Sequence, residues 1–213
     1  MRQLNRLMRV PGVFLLATVL TVAAPACGLI QRDKKPETAP TLVADLKADA
    51  LNSDPAVQDF KQRLDRYLTL QKKVAKDSLP LQETTDPAKI VAAQEVLAEK
   101  IRAIRKNAMQ GDLFAPAVRT KFRQVMHPEV KGTSGEKTKD VIAGDEPDER
   151  PDVTFKVNAK YPSGEALPTV PPNILTSLPA LPQDVEYRII GKTLILRDVD
   201  ANIIVDFMPN AIP

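Results

Sequence analysis

Of 213 residues, one is Cys, one is His and none is Trp. A single Cys closes no internal disulfide, and one Cys with one His cannot build a zinc framework. Little is left for His- or Cys-based catalysis. Aromatic residues are 4% of the chain. Gly is scarce at 8 against 19 Pro, which favours stiff, extended connectors over flexible ones. No Ser stands in a G-x-S-x-G setting, and Gly132-Thr-Ser-Gly135 with Lys137 lacks the spacing of a phosphate-binding loop. No cofactor is expected.

What is present begins with an export signal. Arg2, Arg6 and Arg9 precede an apolar run from Val13 to Ala24, and Ala24-Pro25-Ala26 reads as a cleavage site before Cys27. The run is short for a membrane span; the alternative is a retained N-terminal anchor. Cys27-Gly28 stands where a bacterial lipoprotein carries its lipidated residue, but Ala24 and Pro25 depart from the usual lipobox. Two readings of Cys27 stand: a lipid anchor, or an incidental residue after ordinary cleavage. The expected location is exported, periplasmic or lipid-anchored in the cell envelope.

Residues 1–26 hold three Arg and no acid, so without them the 30 Lys and Arg fall to 27, equal to the 27 Asp and Glu. The basic balance belongs to the signal. It gives no footprint for nucleic acid.

The pattern predicts an α+β chain. Residues 27–40 read as a tether and 41–127 as a helical region. Ser53-Asp54-Pro55 and Asp86-Pro87 are helix starts. Val57, Phe60, Leu64, Tyr67 and Val74 form one helical stripe; Ile90, Leu97, Ile101, Ile104 and Ala108 form another. With a short connector they predict an antiparallel hairpin, with Leu64, Tyr67, Ile101 and Ile104 buried between its helices. A third helix opens at Ala115-Pro116 and closes at Pro128. Residues 128–152, acidic and without apolar periodicity, read as a flexible linker. The remainder, 153–213, reads as a small β-rich domain. Val153–Tyr161 alternates as a half-buried strand, and a Pro-rich connector follows, extended or with one short helical turn. Three β-branched runs over 185–190, 193–197 and 203–207 then form an antiparallel meander. Tyr187, Ile189, Leu194, Leu196, Ile203 and Val205 should make its buried face. Ile190, Ile195 and Ile204 on the other face should be covered by the Pro-rich segment around Ile174 and Leu178, or by a partner.

The ending from Leu178 to Pro213, with Glu186-Tyr-Arg, Leu194-Ile-Leu-Arg-Asp198 and Ile203-Ile-Val-Asp-Phe207, resembles that of a group of exported bacterial proteins without assigned function. Gly111-Asp-Leu-Phe-Ala-Pro-Ala-Val118 is similar to an internal motif of the same group. More loosely, the meander resembles the C-terminal part of small periplasmic proteins linked to nickel and cobalt homeostasis. The closer resemblance implies export and a shared small fold. Proteins of the looser group have a His- or Asp-rich body; with one His here, no metal role follows.

Candidate sites are few. Asp198, Asp200 and Asp206 near the second turn could offer oxygen ligands to Ca²⁺, although turn chemistry alone explains Asp and Asn there. His127 could be a base or ligand, or a surface residue that complements a helix C-terminus. Glu186 and Arg188 share a strand face, where Arg197 could pair across. Residues 54–126 hold 14 bases and 9 acids, which could meet anionic lipid or an acidic partner, or form a solvated face. The expectation is a non-enzymatic envelope protein, a binding or assembly module with an envelope protein partner. The alternative is a metal-handling or hydrolytic periplasmic protein using Asp198, Asp200 and Asp206.

Overall fold

The two Asp-Pro steps start helices in the same way. In a computed structural model, which describes residues 47–77, 85–143, 155–162 and 170–213, the Asp54 carboxylate accepts from Ala56 N at 2.9 Å and that of Asp86 from Ala88 N at 3.0 Å. Pro occupies the first turn in each, where its missing N–H costs no bond. The described helices are α1 (47–52), α2 (Pro55–Lys76), α3 (Pro87–Ile104), α4 (Pro116–Met126), α5 (Gly132–Ala143) and α6 (Pro172–Ser177), with a 3₁₀ turn at His127–Val130. Strands β1 (Val185–Ile190), β2 (Thr193–Asp198) and β3 (Ile203–Met208) form an antiparallel sheet in the order β1-β2-β3. The fold is α+β, with helices ahead of a C-terminal meander. No described helix is long and apolar enough to cross a membrane.

α2 buries Val57, Phe60, Leu64, Tyr67, Leu68 and Val74, one stripe at helical spacing. α3 is different. Only Leu97, Ala98 and Ile101 are buried, while Ile90 is 39% and Ile104 59% exposed. Contrary to the expectation, Ile104 is not between the helices. α3 ends there, and Arg105 takes the inward position one residue later, its guanidinium 4.9 Å from the centre of the Tyr67 ring. Ile90 shares a face with Leu97 and Ile101 but lies beyond the end of α2, which reaches α3 where Lys100 Nζ donates to Asp77 O at 2.8 Å.

Residues 128–143 are not a linker. The 3₁₀ turn and α5 occupy them, with Gly135, Thr138 and Ile142 buried. A Cβ on Gly135 would sit 2.2 Å from Val130 C, so only Gly permits this close approach. The expected strand Val153–Tyr161 is also corrected over its described part, 155–161. Asn158 has φ +64° and breaks the strand. The segment instead lines the outer edge of β3: Asn158 N donates to Ile204 O (2.8 Å), Ile204 N to Ala159 O (2.9 Å) and Tyr161 N to Asn202 O (2.9 Å). Its strand-like pairing within the described residues is one isolated bridge, Lys160 to Ile203.

The expected first sheet face is observed. Tyr187, Ile189, Leu194, Leu196, Ile203 and Val205 join the core made by the helices. Phe60, Phe114, Phe122 and Tyr187 meet there with ring centres 5.3–6.3 Å apart. That core runs from Leu51 through Ile142 to Ile212, so the helical region and the β-rich end share one interior within the compact unit Thr38–Pro213. The division into two modules is overturned by this packing. On the second face Ile195 and Ile204 are buried and Ile190 half-buried, but Tyr161 and Phe155 cover them. Ile174 and Leu178, expected there, lie in the main core. The Pro-rich connector contributes one short helix, α6.

Candidate functional site

Two polar clusters flank the sheet. The first is internal and begins at Gly111, whose φ of +95° lies in the region that favours glycine. This turn lets the N–H groups of Gly111, Leu113 and Phe114 converge on one carboxylate. Asp206, fully buried on β3, accepts from Gly111 N (2.9 Å), Leu113 N (2.8 Å), Phe114 N (2.8 Å) and Phe207 N (2.8 Å). Burial pushes its carboxyl above the ordinary value, against the pull of these donors. A carboxylate offers about four lone-pair sites, and here they are taken.

Asp198, also fully buried, accepts from Tyr67 Oη at 2.5 Å and Ala201 N at 2.7 Å. Burial raises this carboxyl too, opposed by the same two donors. The Tyr67 phenol is driven well up, by burial first and then by the Asp198 charge. Arg105 feels the charge of both carboxylates. It stacks on Tyr67 and donates to Asn158 Oδ1 (2.9 Å) and Val205 O (3.2 Å). Burial lowers its guanidinium, with neighbouring Tyr67, Asp112, Asp206 and Asp198 acting against that. Asp200, whose charge also acts on Asp198, accepts from Gln71 Nε2 at 3.2 Å. The three aspartates singled out from the sequence are therefore not brought together as a ligand set. No group of three or more His, Cys, Asp or Glu among the described residues could hold a metal ion. Their chemistry is structural: they tie α2 and the 105–114 loop to the sheet.

The second cluster lies on the other sheet face. Register pairs Glu186 with Arg197, and Arg197 Nη1 donates to Glu186 Oε1. Arg188 Nη2 donates to Glu186 Oε2 at 2.7 Å, and Arg197 Nε to Asn202 Oδ1 at 2.9 Å. Burial alone would raise the Glu186 carboxyl; the two arginines outweigh it and hold it below its ordinary value. Arg197 lies over the Tyr161 ring, 5.0 Å from its centre. Alternation had marked Glu186, Arg188 and Arg197 as neighbours. Tyr161 was not foreseen as part of this cluster, because it arrives from a turn outside the meander.

His127 is exposed at the end of α4 and borders a groove of about 510 Å³ with Arg123, Lys192, Asn210 and Pro213. Arg123 is committed to the carbonyls of Asn210 (2.9 Å) and Pro209 (3.1 Å). Several helical cations are likewise engaged: Lys121 with Asp54 (2.8 Å), Arg102 with Glu95 (2.6 Å) and Lys72 with Asp184 (3.4 Å). Cys27, the signal and the tether lie outside the described residues. Comparison with known proteins found no match to a family model, a curated protein or a solved structure.

Proposed function

We propose that this protein is an exported, non-enzymatic module of the cell envelope that works by binding a protein partner. The carrying observation is the first half of α3. Ile90 is 39%, Val91 51% and Val96 45% exposed, with Ala88 and Ala92 beside them open to solvent. Single exposed apolar residues are ordinary, but several within the first half of one helix favour a contact surface. The buried ionisable groups support the non-enzymatic part, since Asp198, Asp206 and Arg105 are spent on internal hydrogen bonds. Asp198, Asp200 and Asp206 offer the metal-handling or hydrolytic alternative no common site.

A photoreactive side chain placed at Ile90 or Val91 in cells should give a discrete crosslinked product in the envelope fraction. The same group at exposed Lys192 should not. Equal products at all three positions, or none at Ile90 and Val91, would refute the partner surface. Export rests on residues 1–26 and is tested apart from it: the mature N-terminus should be Cys27. In the lipid-anchored form, labelled palmitate enters the protein and Cys27→Ser abolishes labelling. An unacylated, soluble product starting at Cys27 would exclude the anchor. Arg66, Lys73 and Lys76 on the exposed side of α2 support a contact with anionic lipid, which co-sedimentation with phosphatidylglycerol but not phosphatidylcholine vesicles would test.

A further inference from the structure

The groove of about 510 Å³ beside α4 has two walls. Thr120, Arg123, Gln124 and His127 form one, at the i, i+3, i+4, i+7 spacing of a single helix face. The other is the β1–β2 turn at Lys192 with the tail from Asn210 to Pro213. Hydrogen bonds join the walls. Ala211 N donates to Lys192 O at 2.8 Å, and Arg123 donates from Nε to Asn210 O and from Nη2 to Pro209 O.

No acidic side chain lines this groove. Elsewhere on the helices Lys121, Arg102 and Lys72 each face a carboxylate. Arg123 instead spends two of its N–H donors on neutral carbonyls, which orient the guanidinium and leave its charge unmatched. Its Nη1 bonds to nothing among the described residues and remains open to solvent, unlike the enclosed donors of Tyr161, Tyr187 and Arg188. The side chains of Lys192 and His127 are exposed and likewise have no partner among the described residues. Exposed Pro213 also borders the groove, and its terminal carboxylate pairs with neither Arg123 nor Lys192. Two cationic side chains against that one carboxylate leave the groove positive.

We propose that this groove binds a phosphomonoester, its oxygens shared between Arg123 on α4 and Lys192 on the turn. A phosphoryl group carries about −1.5 to −2 charges at pH 7 and three strong acceptor oxygens. Its tetrahedral shape lets it take donors from both walls at once. A carboxylate has one charge and two oxygens in one plane, and serves one wall. The volume lies within the roughly 300–1,000 Å³ of ligand pockets, and the polar helix wall suits a small polar body. The site is separate from the α3 surface, and its test does not depend on that reading.

Glycerol 3-phosphate is the probe, with glycerol and acetate as controls, titrated into the full-length mature protein at constant ionic strength and followed by two-dimensional NMR. Glycerol 3-phosphate should shift the Lys192 and Asn210 amides and the His127 ring. Each control should bind about ten-fold more weakly or worse. Lys192→Ala removes a side chain that bonds to nothing among the described residues, so it should keep the unfolding midpoint while weakening glycerol 3-phosphate about ten-fold. Arg123→Gln should abolish binding; should loss of its carbonyl bonds unfold the tail, Lys192→Ala still decides. Co-sedimentation with phosphatidic acid vesicles that is lost in Lys192→Ala would assign the phosphate to a lipid headgroup, and binding of glycerol 3-phosphate without it to a soluble ester. Equal binding of acetate, shifts centred on Arg66 and Lys73 of α2, or a Lys192→Ala variant that binds as the wild type would each overturn the proposal.

Discussion

Asp206 shows how one side chain is given its role by a distant loop. Among the described residues its carboxylate is the acceptor for the N–H groups of Gly111, Leu113 and Phe114. Asp206→Ala should therefore cost about 3–5 kcal/mol in urea unfolding, since it strands several buried donors at once. Asp206→Asn should recover only part, because one of its oxygens becomes a donor. A loss below about 1 kcal/mol would mean that the loop finds other acceptors. Glu186 makes a pH-dependent contribution of known sign. Its folded-state value lies below the ordinary 4.5, so the stability it adds is complete above that pH and is lost as pH falls through the lowered value. The stability difference between wild type and Glu186→Gln should be constant from about pH 5 upward and shrink on acidification below 4.5. A difference that instead grew with acid would contradict the arginine pairing.

At the scale of elements, α3 is the instructive case. Its period promised a stripe from Ile90 to Ile104, yet the period reports only which residues share a face, not whether anything lies opposite. Ile101 is fully buried and Ile104 is 59% exposed. Ile101→Ala should cost about 2–5 kcal/mol, as large-to-small changes in a core do. Ile104→Ala should fall within about 0.5 kcal/mol of wild type. Equal losses at both positions would place Ile104 in an interface. α5 failed to show in the sequence for the opposite reason. Its buried side is Gly135, Thr138 and Ile142, too small and too polar to register as an apolar stripe. What packs it is the close approach of Gly135 to the Val130 backbone. The segment 155–161 has strand-like alternation, but Asn158 at positive φ turns it along the β3 edge.

For the whole molecule, a shared interior replaces two tethered modules. Tyr67 on α2 bonds Asp198 on β2, Arg105 bonds Val205 on β3, and Phe122 on α4 packs on Tyr187. Elements joined in this way should unfold together. Leu64→Ala, a change in α2, should raise the exchange rate of the slowest β2 amides by the same factor as those of α2. The denaturation midpoints of the helical and tyrosine fluorescence signals should coincide. Protection of β2 that survives this substitution, or two separate midpoints, would restore the picture of independent modules.

Local rules were enough for the parts of this protein that depend on neighbours in the chain. Asp-Pro helix starts, the α2 stripe, the three strands, their first buried face and the nearness of Arg197 to Glu186 or Arg188 follow from capping, from periods of 3.6 and 2, and from turn chemistry. The three aspartates were visible as residue types in a turn, but their work was not. Asp206 meets a loop more than 90 positions away, and Asp198 meets Tyr67 across 131. Contacts at such separations leave no period in the sequence. They arise because the helices and the sheet bury their apolar faces against each other, and the polar groups enclosed by that packing must find partners. The same packing decided that the first half of α3 would stay exposed and that Tyr161 would cover Ile195 and Ile204 with its ring under Arg197.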